Sequence, residues 1–89
     1  LRAALRNLDA EASFIAEDDP AAARLVVERI MTAVQMLATQ PSLGRPGRVP
    51  NTRELIVLKT RYVVPYRVHG DTIEILRVFH TSRRPPQHW

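Results

Sequence analysis

Two runs rich in β-branched and aromatic residues, 62–68 (YVVPYRV) and 72–79 (TIEILRVF), are separated only by His69-Gly70-Asp71. So short a connection leaves them one way to pair, as an antiparallel hairpin, because a parallel partner needs a crossover of about a dozen residues or more. A three-residue loop with a central glycine is a common hairpin connection. With Val68 opposite Thr72, one face collects Tyr62, Val64, Tyr66, Val68, Leu76 and Val78 and is the better candidate for the buried side. The other face takes Val63, Pro65, Ile73, Ile75 and Phe79 together with Arg61, Arg67 and Arg77, and so presents three guanidinium groups on a rigid sheet. A slip of one residue would reverse these assignments. Pro65 has no N–H to give a ladder, so its nitrogen is expected to face no partner strand, or to sit at a bulge.

The rest of the chain supplies what such a hairpin needs to pack against. Residues 54–58 form a further strand, joined to the hairpin by a Lys59-Thr60-Arg61 turn. Upstream, Leu1, Leu5, Leu8, Ala12 and Ile15 recur at helical spacing as one apolar stripe. Glu17-Asp18-Asp19-Pro20 then breaks the chain: Asp19 can cap a second helix, and Pro20 fits its first position, where a missing N–H costs nothing. That helix is expected over residues 20–39, with Ala23, Val26, Val27, Ile30, Val34 and Leu37 as its apolar face and Met31 at the edge. Met31 and Met36 fit either core filling, the favoured reading, or a soft partner-binding surface. Residues 41–50 (PSLGRPGRVP) read as a loop in which Arg45 and Arg48 are solvated or touch a ligand. The expected fold is α+β: an N-terminal antiparallel helical hairpin (residues 1–40), a loop (41–52), a β-meander (53–80) and a basic tail (81–89), forming one domain with the hairpin on a small antiparallel sheet.

Charge is unevenly placed. Residues 1–44 carry four Arg against six acids, net −2, and residues 45–89 carry nine Lys and Arg against three acids, net +6. The basic half suits an acidic partner, either nucleic acid or a peptide rich in Asp and Glu, against the plainer reading of a solvated surface. With no cysteine, a disulfide framework and a Cys-based zinc site are excluded, which fits a reducing cytoplasm. No apolar run approaches the roughly 20 residues of a membrane span. No signal peptide is visible in an opening that reads Leu-Arg-Ala-Ala and soon turns acidic.

Tyr66-Arg67-Val68, a short turn, then Ile73-Glu74-Ile75-Leu76-Arg77-Val78-Phe79-His80 and a basic, proline-containing end together resemble toxins of the ParE/RelE superfamily, the toxin halves of bacterial type II toxin–antitoxin pairs. The resemblance extends back through Arg53-Glu54-Leu55 and Gly44-Arg45-Pro46 to the helical half. It implies a short strand before the first helix; that strand is absent from this sequence, trimmed or lost, and a sheet without it is expected to leave an extra edge or a gap. It also implies a cognate antitoxin, ParD-like or related, whose acidic segment orders as it wraps the toxin.

The resemblance implies two kinds of target. In the ParE-like branch, which is favoured, the target is DNA gyrase, bound rather than chemically altered. Lys59, Arg61, Arg67, Arg77, Arg83, Arg84 and Trp89 are then the candidate contacts, the Pro85-Pro86 turn and Trp89 making a stiff aromatic end. The plainer reading of residues 81–89 is a frayed terminus. In the RelE-like branch the target is mRNA on the ribosome. His80 would serve as base or acid, with Arg83 or Arg84 gripping the phosphate. That branch resembles a sheet bearing several Lys and Arg on the strand before the hairpin, where this chain has the apolar Leu55-Ile56-Val57-Leu58. His80 is usual in both branches and is otherwise a strand-end histidine bonded to backbone. A third possibility is a degenerate, non-toxic member. No phosphate loop, metal-ligand spacing or nucleophile motif calls for a cofactor or a metal.

Overall fold

The computed structural model describes residues 2–82, 84 and 89, and the side chains from residue 8 onward. Leu1, Arg83, Pro85, Pro86 and the side chain of Leu5 lie outside the described residues. Helix α1 runs Arg2–Asp18 and α2 runs Pro20–Met36, so Asp19 alone joins them. Its extended backbone (φ −149°) breaks the helical path, and its carboxylate accepts from the Ala22 N–H at 3.0 Å, capping α2. Along α2 the fully inward side chains fall at Ala23, Ile30 and Leu37, with Val26, Ala33 and Val34 half-buried beside them. From α1, Leu8 and Ile15 pack on the same core. The last turn tightens into i→i+3 bonds, such as Ala38 N–H to the Gln35 carbonyl at 3.2 Å, which is why α2 ends earlier than the expected residue 39.

Five short strands follow: β1 Arg45–Pro46, β2 Arg53–Ile56, β3 Tyr62–His69, β4 Thr72–Ile75 and β5 Phe79–His80. All pair antiparallel in the order β1-β2-β3-β4, and β5 continues the β4 side along β3. The sheet's inner face meets the helices around Ile30, Leu37, Leu55, Val57, Tyr62, Val64, Tyr66 and Val78. The expected α+β architecture is therefore observed, with β1 as an edge strand inside what reads as loop.

The hairpin register differs by one residue from the expectation. His69, not Val68, stands opposite Thr72, and the loop is the two-residue Gly70-Asp71. Gly70 takes φ +58°, which suits the tight turn that has glycine at its first central position and left-handed geometry there. The slip turns Ile73 and Ile75 toward the core, rather than outward, and sets Glu74 opposite Arg67. The faces of β3 itself are as expected.

The bulge foreseen at Pro65 lies one step away. The Pro65 carbonyl accepts from Leu76 N–H at 2.9 Å, but Pro65 has no N–H to return. Pairing resumes at Val63 with Phe79, so Arg77 and Val78 together face Val64.

Tyr66 pins the β1 loop. Its hydroxyl donates to the Pro41 carbonyl at 2.6 Å and accepts from Gly44 N–H at 2.9 Å. A Cβ on Gly44 would sit 2.6 Å from Tyr66 Cε1, so only glycine permits that approach. Among the described residues no helix is long and apolar enough to cross a membrane.

Candidate interaction surfaces

Three surfaces follow from this scaffold. The first is a groove of about 660 Å³ between α2 and the β1–β2 edge, with Leu25, Ala33, Met36, Leu43, Ile56 and Leu58 along it and Glu28, Arg29, Arg45 and Lys59 at its rim. Ile56 is 49% exposed and Leu58 79%, an unusual display of aliphatic surface on so small a chain. The reason is the brevity of β1, which covers only Arg53 and Glu54. Val57 N–H bonds the Tyr62 carbonyl on the β3 side, so the backbone groups of Ile56 turn to the opposite, open edge. Among the described residues no strand extends β1 to receive them. Met36 belongs to this groove and Met31 is likewise exposed, contrary to the core filling favoured from sequence; Ile30 and Leu37 take the inward positions instead.

The second surface is the outer face of the sheet, away from the helices. Its cations are interleaved with acids. Arg67 Nη1 lies 3.5 Å from Glu74 Oε1, an exposed pair, and Arg45 Nη2 lies 3.2 Å from the buried Glu54. Glu54 also accepts from the backbone N–H of Arg48 at 2.9 Å. Trp89 closes over this face, edge-on to Phe79 at 5.2 Å between ring centres, with the Arg48 guanidinium 5.7 Å from its own ring centre. Arg77 Nη2 donates to the Trp89 carbonyl at 3.2 Å. Among the described residues, Arg77 Nε and Trp89 Nε1 are buried without an acceptor.

The third surface is a depression of about 330 Å³ at the junction of α1 and β5, where Glu11, Arg61, Tyr62, His80 and Ser82 meet. The buried Glu11 carboxylate accepts from the Tyr62 hydroxyl at 2.8 Å. The Tyr62 ring meets His80 edge-on at 5.0 Å. Ser82 donates its backbone N–H to His80 Nδ1 at 3.1 Å, which puts the proton of a neutral ring on Nε2. His80 is thus bonded to backbone at a strand end, and a carboxylate and a guanidinium line the same depression.

The residues expected to contact a target are not gathered into one patch. Lys59 lies on the groove rim, Arg61 in the His80 depression, and Arg67, Arg77 and Trp89 on the outer face, while Arg84 is exposed and Arg83 lies outside the described residues. The outer face is therefore not the bare cationic platform expected, because Glu54 and Glu74 come to stand among its guanidinium groups. Sequence reasoning passed over Glu11 altogether. Its signal was a carboxylate inside the Leu8–Ala12–Ile15 stripe, a place that demands a hydrogen-bonding partner.

A helical hairpin on an antiparallel meander, with an open groove along one sheet edge, defines a small α+β protein whose surfaces suit macromolecular partners. Residues 1–85 match the family model described as ParE toxin of type II toxin-antitoxin system, parDE. The chain belongs to that family and is a toxin of a ParDE-type system. It is 50% identical over 84 residues to "Putative toxin Y4kP" of Sinorhizobium fredii, covering 94% of this chain and 86% of that protein. It is 35% identical over 80 residues to "Toxin RelE2" of Caulobacter vibrioides, covering 90% and 89% of the two chains. Among solved structures, a chain of the chromosomal ParDE system from P. aeruginosa superposes with a TM-score of 0.79 at 31% identity, over 90% of this chain and 89% of that one.

Proposed function

We propose that this toxin works by binding, that its target is DNA gyrase in the cytoplasm, and that a ParD-like antitoxin neutralises it by filling the groove between α2 and β2. The observation that carries a binding mode is the groove itself: exposed Leu25, Met36, Ile56 and Leu58 beside backbone groups left open on the edge of β2. An extended segment laid there would gain main-chain hydrogen bonds from the edge and apolar contact from α2 at once. Arg29, Arg45 and Lys59 on the rim suit carboxylates in the same segment. The gyrase target follows from the branch the sequence resembles. Its contacts are the residues outside the groove: Arg61, Arg67, Arg77, Arg83, Arg84 and Trp89.

A second reading has its own support in the His80 depression. Cleavage of RNA through its 2′-hydroxyl needs a base, a cation for the phosphorane and an acid for the leaving oxygen. Glu11, Arg61 and His80 bring those three functions to one place. The decisive experiment adds the purified chain to a gyrase supercoiling reaction and to a translating extract with labelled mRNA. Inhibited supercoiling with intact mRNA is the expected result. Codon-positioned cleavage abolished by His80→Ala would establish the endonuclease instead. Silence in both, with tight antitoxin binding, would identify a non-toxic member.

A further inference from the structure

We infer that Leu43 is a preset anchor of the groove between α2 and β2, that Arg53 and Tyr66 beneath it are the residues that set it, and that it takes a large apolar side chain of the protein segment filling the groove. The inference rests on the groove reading proposed above, but not on which target the toxin binds. Leu43 belongs to no helix or strand, yet the chain on both sides of it is tied down. Gln40 N–H reaches back to the Met36 carbonyl at 3.0 Å, and Leu43 N–H reaches the Gln40 carbonyl at 3.0 Å. Arg53 and Tyr66 are cross-strand partners on β2 and β3, so their side chains leave the same face of the sheet. The Tyr66 hydroxyl brackets Leu43, joining the Pro41 carbonyl on one side and Gly44 N–H on the other. Arg53 Nη1 donates to the Gly44 carbonyl at 2.7 Å and, at a longer 3.5 Å, to that of Ser42. Such a bond from a guanidinium is charge-assisted. Gly44, Arg53 and Tyr66 come from three stretches well apart in the chain, Gly44-Arg45-Pro46, Arg53-Glu54-Leu55 and Tyr66-Arg67-Val68, and they meet under this one leucine.

The outcome is an aliphatic side chain displayed on a fixed backbone. Leu43 is 42% exposed and Met36, which lines the same groove, 44%. A partner side chain that docks on an element already in place is spared the cost of ordering it, which a loose loop would impose. The chemistry around Leu43 selects what docks there. Arg45 already holds Glu54 at 3.2 Å, and Arg53 is taken by the carbonyls of the loop. A carboxylate laid over Leu43 would therefore meet Glu54 as well as Arg45, whereas an aliphatic or aromatic side chain meets Leu43 and Met36.

Two measurements on the full chain test this. In the free protein, amide hydrogen exchange followed by NMR should be slow at Leu43 and Gly44. Arg53→Gln should speed both about tenfold, the loss expected for one charge-assisted hydrogen bond, while Leu55 and Val64 in the sheet keep their protection. The second measurement is affinity for the cognate antitoxin by calorimetry, in a double-mutant cycle. Leu43→Ser and Arg53→Gln should each weaken binding about tenfold, and the pair together no more than either alone, because Arg53 acts through Leu43. A loss at Arg53 that were merely structural would add to that of Leu43→Ser. Should Arg53→Gln not fold, Arg53→Lys, which keeps a single donor group, takes its place in the cycle. Exchange at Leu43 and Gly44 as fast in the native chain as in urea, additive losses, or full affinity in Leu43→Ser would each overturn the inference. Ile56→Asp tells its failure from that of the groove reading. Lost binding in Ile56→Asp with full binding in Leu43→Ser keeps the groove and removes the anchor, and full binding in both removes the groove as well.

Discussion

Along the free edge of β2, Ile56 and Leu58 stand in solvent, whereas on the outer face of the same sheet Val63 and Pro65 are buried, Val63 beside the β1 loop and Trp89. Both regions are apolar strips bordered by arginines. They differ in how the chain finishes them: β1 stops after two residues and leaves one strip bare, while a residue distant in sequence comes back to cover the other. Exposed aliphatic surface on a small monomer marks a contact yet to be made. The protein thus carries one apolar strip that stands open and one that its own chain covers.

The comparison depends on the shared core, and Tyr66→Ala should break it outright. Removing a fully buried ring and both hydrogen bonds to the β1 loop should destabilise the chain by about 3–5 kcal/mol in urea denaturation, disordering both strips together. Ile56→Asp should separate the two. Affinity for the cognate antitoxin, measured by calorimetry, should fall about 100-fold, as at an interface hot spot. Folding stability should change by no more than about 0.5 kcal/mol, because the residue is already half-exposed. Trp89→Ala should do the converse, costing about 1 kcal/mol of stability through the lost ring and cation contacts while leaving antitoxin affinity unchanged. Arg67→Ala should have the smallest effect, below about 0.5 kcal/mol, since its pair with Glu74 is largely solvated. An Arg67→Ala effect as large as that of Trp89→Ala would mean that the outer face is held by ion pairs instead of by the indole.

Much of the fold was legible because it is local. Asp19-Pro20 announces a cap through its own chemistry, and the alternation within β3 tells its inward residues from its outward ones. The register between β3 and β4 was not legible, because it turns on whether Gly70 takes a left-handed conformation at the first place of a two-residue loop or the middle of a longer one. The surfaces suffered most from that. A sequence counts guanidinium groups but does not reveal which carboxylate arrives opposite each. Glu74 neutralises Arg67 only in the observed register, and Glu54 meets Arg45 only because β1 pairs with β2. Leu25, Leu43, Ile56 and Leu58 look like ordinary core residues until β1 ends short of them.

Arg77 and Val78 share the single place opposite Val64, and this surplus residue acts as a phase shifter for everything after it. Because of it, Val78 and His80 point to the helices on a strand whose earlier inward residues are Ile73 and Ile75, an odd-numbered set followed by an even-numbered one. The same residues paired without that surplus place would set Phe79 opposite Tyr62 and so exchange the directions of Phe79 and His80. The ring that now seats the indole would turn toward α1, and the imidazole would turn to the far side. A single amide of slack thus decides which side of the molecule the C-terminal residues can reach.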